Sequence, residues 1–135
     1  MSTISIIGSG GMATAVAGRI ARAGHTVEVV SRDPAKAQAL ADKLASGAIT
    51  GTYGATPAGD IVILAVPYTH ALAVLADFGK ALGGKVIIDI TNPVAPDLSG
   101  LVTPQGSSGA QEIAKVAPAT AHVVKAFNTL FGHVL

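Results

Sequence analysis

The chain has 135 residues, half of them hydrophobic and only 13% charged, so it can bury one core without disulfide or metal support. The formal net charge is +1 and no long run of like charges occurs, which argues against nucleic acid as a main partner. Cysteine is absent, which excludes thiol catalysis and thiolate metal sites. These totals predict one globular domain with a well-buried core.

The N-terminal segment predicts a strand, a glycine-rich turn, a helix and a second strand. An apolar strand at residues 4–7 runs into the turn, and apolar residues then recur at helical spacing. Gly24 stands where the cap of that helix is expected, and residues 27–30 form the next strand. In this context the G-x-G-x-x-A motif from Gly8 to Ala13 predicts a dinucleotide-binding turn.

Each small residue of the motif has a physical role. Gly8 lets the strand turn sharply, Gly10 lets the backbone approach a pyrophosphate, and Ala13 lets the helix pack tightly on the strand. Free N–H groups and the dipole at the helix start then attract the anion. The residues expected along the pyrophosphate are Gly8, Ser9, Gly10, Gly11 and Met12. The alternative is a glycine turn with a structural role alone.

The end of the second strand predicts which dinucleotide is preferred. Sites for NAD usually carry an acidic residue here, whereas this chain has Ser31 and Arg32. Arg32 can pair with a 2′-phosphate and Ser31 adds a hydroxyl donor. Asp33 is expected to cap the next helix, whose first turn contains Lys36 near the same phosphate. These residues favour NADP over NAD, against the alternative of a solvated Arg-Asp turn.

The rest of the chain alternates between helices and strands. The predicted helices cover residues 34–44, 68–78 and 110–116, and the predicted strands cover residues 49–52, 61–66, 86–90 and 123–127. Residues 56–59 allow at most one helical turn, and residues 91–108 read as a long loop. The inner face of the helix over residues 68–78 is expected to comprise Ala71, Leu72, Leu75 and Ala76. This alternation predicts an α/β fold with a doubly wound parallel sheet of six strands, the Rossmann arrangement.

No segment predicts a leader or a membrane span. The first strand begins near residue 3, which leaves no room for a signal peptide. The longest apolar run, residues 61–67, is too short to cross a bilayer. We therefore expect a soluble, cytoplasmic protein without a membrane partner.

Ligands of such sheets lie beyond the carboxyl ends of the strands. Val66 and Pro67 follow one strand and predict either an apolar wall for the nicotinamide or a simple turn. Asn92 and Pro93 follow the next strand and offer a side-chain amide and a rigid backbone, or a plain loop. His70 begins a helix at the same edge, where it either contacts the cofactor or is solvated.

The remaining polar residues do not predict a metal site or an acid–base pair. His25, His70, His122 and His133 are spread without metal-ligand spacing. Asp89 interrupts an apolar strand, and we interpret it as a hydrogen-bonded buried carboxylate rather than a general base. We therefore expect no catalytic side chain and no metal.

With these segments identified, the chain resembles the NADPH-dependent reductases of the deazaflavin coenzyme F420, the F420H2:NADP oxidoreductase family. The stretches that carry the resemblance are residues 7–12 (IGSGGM), 30–32 (VSR), 65–71 (AVPYTHA), 89–93 (DITNP) and 125–129 (KAFNT). They cover almost the whole chain, so the resemblance is to the N-terminal domain of that family. We thus expect residues 1–135 to form an NADP-binding domain and the smaller C-terminal domain of the family to be absent.

The resemblance also implies roles for single residues. It places the pyrophosphate on residues 9–12 and the 2′-phosphate on Ser31, Arg32 and Lys36. It places the ribose and the nicotinamide along Val66, His70, Asn92 and Gly132. In this family a C-terminal portion helps to cradle F420 and to form the dimer. The partners it implies are NADP(H) and coenzyme F420 as small-molecule substrates, and a second copy in a homodimer of the full-length form.

The expected reaction is reversible hydride transfer between NADP(H) and F420 or a related flavin-type acceptor, in which the protein positions two rings and excludes water. One alternative is a pyrroline-5-carboxylate reductase-like imine reductase, which has a similar glycine loop but fits residues 66–68 poorly. A second is a partner domain for flavin or iron reduction, as in membrane ferric reductases. A third is a non-catalytic NADPH-sensing module.

Overall fold

The computed structural model describes residues 2–44, 47–93 and 100–127. Six strands form one sheet: β1 (Thr3–Ile7), β2 (Thr26–Val30), β3 (Ile49–Thr50), β4 (Ile61–Leu64), β5 (Val86–Asp89) and β6 (His122–Lys125). Four α-helices accompany them: α1 (Gly11–Arg22), α2 (Pro34–Lys43), α3 (Tyr68–Phe78) and α4 (Gly109–Val116). The strand order is β3-β2-β1-β4-β5-β6 and every neighbouring pair is parallel. This is the predicted doubly wound arrangement.

The order of the strands reverses beside β1. This strand pairs with β2 on one side and with β4 on the other, so consecutive connections leave in opposite directions. Because all six strands are parallel, their carboxyl ends meet at one edge of the sheet. The segments that begin at Gly8, Ser31 and Ala65 therefore emerge side by side at this switch point.

Helices cover both faces of the sheet. On one face, α1 and α2 bury small and branched residues such as Ala17 and Leu40 against β1 and β2. On the other face, α3 contributes Leu75 and Phe78, and α4 contributes Ile113. Strands buried on both faces need apolar residues in unbroken runs, which explains the composition of β4.

The structure corrects several predicted details. Helix α3 has the predicted bounds, but its Ala76 is exposed and Val74 is buried instead, because the inward stripe advances from Ala71 to Val74 and Leu75. A 3-10 helix (Gly79–Leu82), which was not predicted, follows α3. Residues 56–59 form no helical turn, in agreement with the prediction of one turn at most. The strands end earlier than predicted, since pairing with the neighbouring strands stops before the apolar runs do.

The end of α1 confirms the predicted role of Gly24. The Gly24 N–H donates to the Ala21 carbonyl at 3.0 Å and the His25 N–H donates to the Ile20 carbonyl at 3.3 Å. With a φ of 91° at Gly24, this is a Schellman motif, a helix end that needs a left-handed residue.

Candidate functional site

Gly8 makes the turn between β1 and α1 against the end of β4. Its φ is 129°, and a Cβ at this position would lie 2.1 Å from the Ala65 carbonyl oxygen. The Gly8 N–H donates to the Val30 carbonyl at 2.9 Å, so the turn is also bonded to β2. Only glycine fits such a close backbone approach. The predicted sharp turn is confirmed, and it brings three strand ends together.

The N-terminus of α1 has no side-chain cap, like that of α3 and unlike those of α2 and α4. Its N-cap, Gly10, provides no side-chain hydrogen bond, and its first turn has no acidic residue. In contrast, Asp33 caps α2 and a Ser108–Gln111 capping box begins α4. A Cβ at Gly10 or Gly11 would meet nothing within 4 Å. Open space in front of uncapped N–H groups is the geometry of an anion site.

A cavity of about 560 Å³ lies in front of this helix end. Nine of the predicted site residues line it: Gly8, Ser9, Gly10, Ser31, Arg32, Lys36, Val66, Pro67 and His70. Residues from after β3 and from α3 complete the wall, among them Tyr53 and Val74. The cavity therefore joins the glycine turn to the serine–arginine pair after β2.

Arg32 is held at the edge of this cavity by two side chains. Its Nε donates to Tyr53 Oη at 3.1 Å, and its Nη2 lies 3.1 Å from Asp77 Oδ2. The guanidinium carbon is 5.5 Å from the centre of the Tyr53 ring. The hydrogen bond with Tyr53 is the largest cause that raises the pKa of Arg32 above its ordinary value. Burial raises the pKa of Tyr53, so its hydroxyl keeps its proton at neutral pH.

Ser31 faces the glycine turn rather than the solvent side. Its Oγ lies 3.5 Å from the Ser9 Oγ and accepts a hydrogen bond from the Asp33 N–H at 3.3 Å. Lys36 lies in the exposed first turn of α2 and lines the same cavity. The cavity is thus lined by two cationic side chains, Arg32 and Lys36, and by the hydroxyls of Ser9 and Ser31.

A second cavity of about 450 Å³ continues from the first along the carboxyl edge. It shares Gly10, Ala65, Val66 and Pro67 with the first cavity. Its further lining residues are Gly11, Met12, Tyr68, Thr69, Ile90, Thr91 and Asn92. The two cavities form one elongated cleft over the switch point, which suits an extended molecule with two ends.

His70 lies in this cleft: it lines the first cavity, as Arg32 does, and not the second cavity, which Asn92 lines. Other predicted site residues lie outside the cleft. Pro93 lines a different cavity, together with Leu101 and Lys125. Gly132 lies outside the described residues.

Asp89 organises the edge of the second cavity. Its carboxylate is fully buried and accepts hydrogen bonds from the Thr91 N–H at 2.8 Å and the Thr91 hydroxyl at 2.6 Å. Lys125 Nζ lies 3.1 Å from Asp89 Oδ2 and also donates to the Thr91 carbonyl. The interpretation of Asp89 as a hydrogen-bonded buried carboxylate is confirmed.

Sequence reasoning missed Tyr53 and Asp77 as neighbours of Arg32. Tyr53 follows β3, so the rule that ligands lie beyond strand ends contained a signal for it. Asp77 lies in the last turn of α3, and no local pattern connects it with Arg32, forty-five positions earlier. Only the packing of α3 beside the Tyr53 loop brings the two together.

Within residues 2–44, 47–93 and 100–127, no three His, Asp or Glu side chains converge as ligands for a metal ion. Over the same residues, each helix is too short or too polar to cross a bilayer.

Comparison with known proteins gives a family and several relatives. Residues 3–93 match the family described as NADP oxidoreductase, coenzyme F420-dependent. The chain is 33% identical to metalloreductase STEAP3 of Rattus norvegicus over 129 residues, which are 94% of this chain and 24% of that protein. It is 35% identical to the F420-dependent NADP reductase of Methanothermobacter marburgensis over 101 residues, 69% of this chain and 45% of that protein.

A solved structure shows the same fold. The crystal structure of a candidate F420-dependent NADP reductase from Arthrobacter sp. FB24 superposes with a TM-score of 0.85 at 23% identity. The superposition covers 99% of this chain and 66% of that one. The chain thus spans a quarter to under half of the curated relatives' lengths and about two thirds of this neighbour.

Proposed function

Because the chain belongs to the family of coenzyme F420-dependent NADP oxidoreductases, we propose that it binds NADP(H) and serves hydride transfer to or from coenzyme F420. The observation that carries the proposal is the cleft that joins an uncapped helix N-terminus to Ser31, Arg32 and Lys36. An anion site at one point and a cationic end beyond it match a dinucleotide with an added 2′-phosphate.

The residues present fit NADP(H). Uncapped N–H groups at the start of α1 would hold the diphosphate, and the absent Cβ atoms at Gly10 and Gly11 leave room for it. Arg32 and Lys36 would pair with the 2′-phosphate, and Ser31 would donate a hydrogen bond to it. No acidic side chain follows β2 directly, so nothing there favours a plain ribose 2′-hydroxyl.

The second cavity would take the redox-active end of the nucleotide. NADPH supplies a hydride when bound, and the protein's part is to position the ring and exclude water. Val66 and Pro67 would form an apolar wall for the ring, and Asn92 lines the same cavity. Asp89 and Lys125 fix the backbone of Thr91 beside them. We propose no catalytic acid or base.

The first experiment measures the affinity of Arg32→Ala for NADPH and NADH by titration. We expect NADPH to bind about tenfold or more weakly and NADH to change by less than about twofold, because only NADPH carries the 2′-phosphate. Arg22→Ala is the matched control, since Arg22 is an exposed arginine in the last turn of α1. Equal losses for both nucleotides would contradict the phosphate role.

A second experiment tests the acceptor with the full-length protein. Reduced F420 and NADP⁺ are mixed, and the deazaflavin absorbance is followed with time. Turnover supports the proposed reaction, whereas tight NADPH binding without turnover of any acceptor supports a non-catalytic sensing module. Light scattering on the same preparation tests the homodimer that we propose for the full-length form.

The similarity to a metalloreductase favours a second candidate function. That relative matches 94% of this chain, a larger share than the F420-dependent relative does. In this reading the same NADPH-binding cleft delivers electrons to a flavin or a ferric acceptor. Parallel assays with free flavin, a ferric chelate and F420 distinguish the two, since the faster acceptor identifies the function. Reduction of a cyclic imine instead would support the imine-reductase alternative.

A further inference from the structure

Tyr53 links Arg32 to Asp77 through its hydroxyl group. Tyr53 Oη accepts a hydrogen bond from Arg32 Nε at 3.1 Å and donates one to Asp77 Oδ2 at 2.7 Å. Arg32 Nη2 closes the triangle with Asp77 Oδ2 at 3.1 Å. Each of these three side chains therefore bonds to both others. Of the three, only Arg32 belongs to the sequence-predicted site.

The core holds Tyr53 in place. Its ring meets the ring of Phe78 edge to face, with centroids 5.0 Å apart and an angle of 77°. Phe78 is buried in the cluster between α3 and the sheet, and Tyr53 packs against that cluster. Arg32, in contrast, has a side chain that is 58% exposed. The hydroxyl is thus a fixed point, and the guanidinium beside it belongs to a side chain that would otherwise be mobile.

The two contacts leave most of the guanidinium available. An arginine has five N–H donors in a rigid fork, and the bonds to Tyr53 and Asp77 involve Nε and Nη2. Arg32 also lines the cavity beside Ser31 and Lys36. Holding one edge of the fork therefore orients the other donors without consuming them. A side chain that is already ordered loses less entropy when it binds a ligand.

We propose, resting on the NADP(H) binding proposed above, that Tyr53 is a positioning residue that, with Asp77, orients Arg32 for the 2′-phosphate and strengthens selectivity for NADP(H) over NAD(H). Tyr53 itself acts through Arg32 and forms no part of the hydride transfer. Asp77 orients the tyrosine hydroxyl and shares the guanidinium.

The test compares 2′,5′-ADP with 5′-AMP as probes, because the two differ by the 2′-phosphate. Tyr53→Phe keeps the ring and the charge and removes only the hydroxyl. We expect this variant to bind 2′,5′-ADP about threefold to tenfold more weakly, with 5′-AMP affinity changed by less than about twofold. In an Arg32→Ala background, Tyr53→Phe should have no further effect on 2′,5′-ADP, since the residue acts through Arg32.

Asp77→Asn provides a second, surface variant that does not disturb the core. We expect this variant, like Tyr53→Phe, to weaken 2′,5′-ADP binding. The control is Asp60→Asn, which should leave that affinity unchanged, because Asp60 is an exposed carboxylate that pairs with Lys85 and not with Arg32. If Asp77→Asn strengthens 2′,5′-ADP binding, Asp77 competes with the phosphate for Arg32 and the inference is overturned.

The results separate this inference from the proposed function. If the wild-type chain binds 2′,5′-ADP no more tightly than 5′-AMP, the proposed NADP(H) preference fails and the inference falls with it. If the wild type prefers 2′,5′-ADP but Tyr53→Phe retains the full ratio of affinities, only the positioning role is wrong.

Discussion

At the residue scale, Gly8 and Gly10 belong to one motif but are glycine for different physical reasons. Gly8 combines a φ of 129° with a carbonyl oxygen 2.1 Å from where its Cβ would stand, so the fold itself requires glycine there. Gly10 has an open site and an ordinary φ, so the fold would accept a side chain. What a side chain at Gly10 would fill is the space for a ligand.

We therefore predict that Gly8→Ala lowers the free energy of unfolding by about 3 kcal/mol or more, because the clash is with rigid backbone. Chemical denaturation measures this change. The control is Gly18→Ala inside α1, where the nearest atom is the flexible end of Arg22 at 3.5 Å. That substitution should stabilise the chain by up to about 1 kcal/mol. If Gly8→Ala destabilised the chain no more than Gly18→Ala does, the turn at residue 8 would be able to relax around a Cβ.

At the element scale, α1 lacks a feature that α2 and α4 possess. Asp33 accepts from the Ala35 N–H at 3.0 Å, and the Ser108 side chain accepts from the Gln111 N–H at 3.2 Å. Gly10 makes no such bond, so α1 has a less stable start and a stronger attraction for an anion. The missing cap, together with the open space at Gly10 and Gly11, is consistent with an anion that binds at this helix end.

Gly10→Asp is expected to stabilise the fold and to weaken NADPH binding. A capping carboxylate should raise the free energy of unfolding by about 0.5 to 1 kcal/mol, through the new hydrogen bond and the helix dipole. The same carboxylate should weaken NADPH binding by about tenfold or more, because it occupies the anion site and repels the diphosphate. Thermal denaturation and a nucleotide titration measure the two effects.

Gly10→Asn is the matched control for this pair of effects. Asparagine caps a helix about as well as aspartate but carries no charge, so it should lose less NADPH affinity. If both variants bind NADPH like the wild type, the N-terminus of α1 does not hold the diphosphate.

At the scale of the whole molecule, the cleft depends on three strand ends held by one sheet. A nucleotide that bridges the β1 and β2 ends binds only the folded chain, so binding must raise stability. At a free NADPH concentration one hundred times Kd, the free energy of unfolding should rise by about 2.7 kcal/mol. A thermal-shift measurement with NADPH and NADH at equal concentration checks this, and NADPH should give the larger shift.

This shift should depend on pH in one direction. A phosphate monoester has a second pKa of about 6, so a 2′-phosphate gains a proton and loses charge as the pH falls below that value. Arg32 keeps its charge over this range, because its pKa is raised above the ordinary value. The attraction of the cationic side chains in this cavity for the phosphate therefore weakens as the phosphate loses charge at low pH. The difference between the NADPH and NADH shifts should decline from pH 7 to pH 5. A constant difference would argue against a phosphate beside these cations.

Local patterns in the sequence predicted most of the fold. Apolar runs, helical stripes and caps are determined by residues close in the chain, so α3, the Gly24 helix end and the Asp33 cap followed from them. The predicted order of elements also implied which segments meet at the carboxyl edge. The bounds of short strands such as β3 did not follow, because they depend on where a neighbour stops pairing.

The candidate site also combines features that the local sequence predicts with features that only the tertiary structure shows. The sequence alone determined where the glycine turn and the serine–arginine pair lie, since each directly follows a strand and so lies at the carboxyl edge of the sheet. Only the tertiary structure decided that His70 lines the same cavity as Arg32, that Pro93 lines another cavity, and that Tyr53 and Asp77 hold the guanidinium. These relations join residues far apart in the chain, and packing across the sheet, not local periodicity, sets which of them touch.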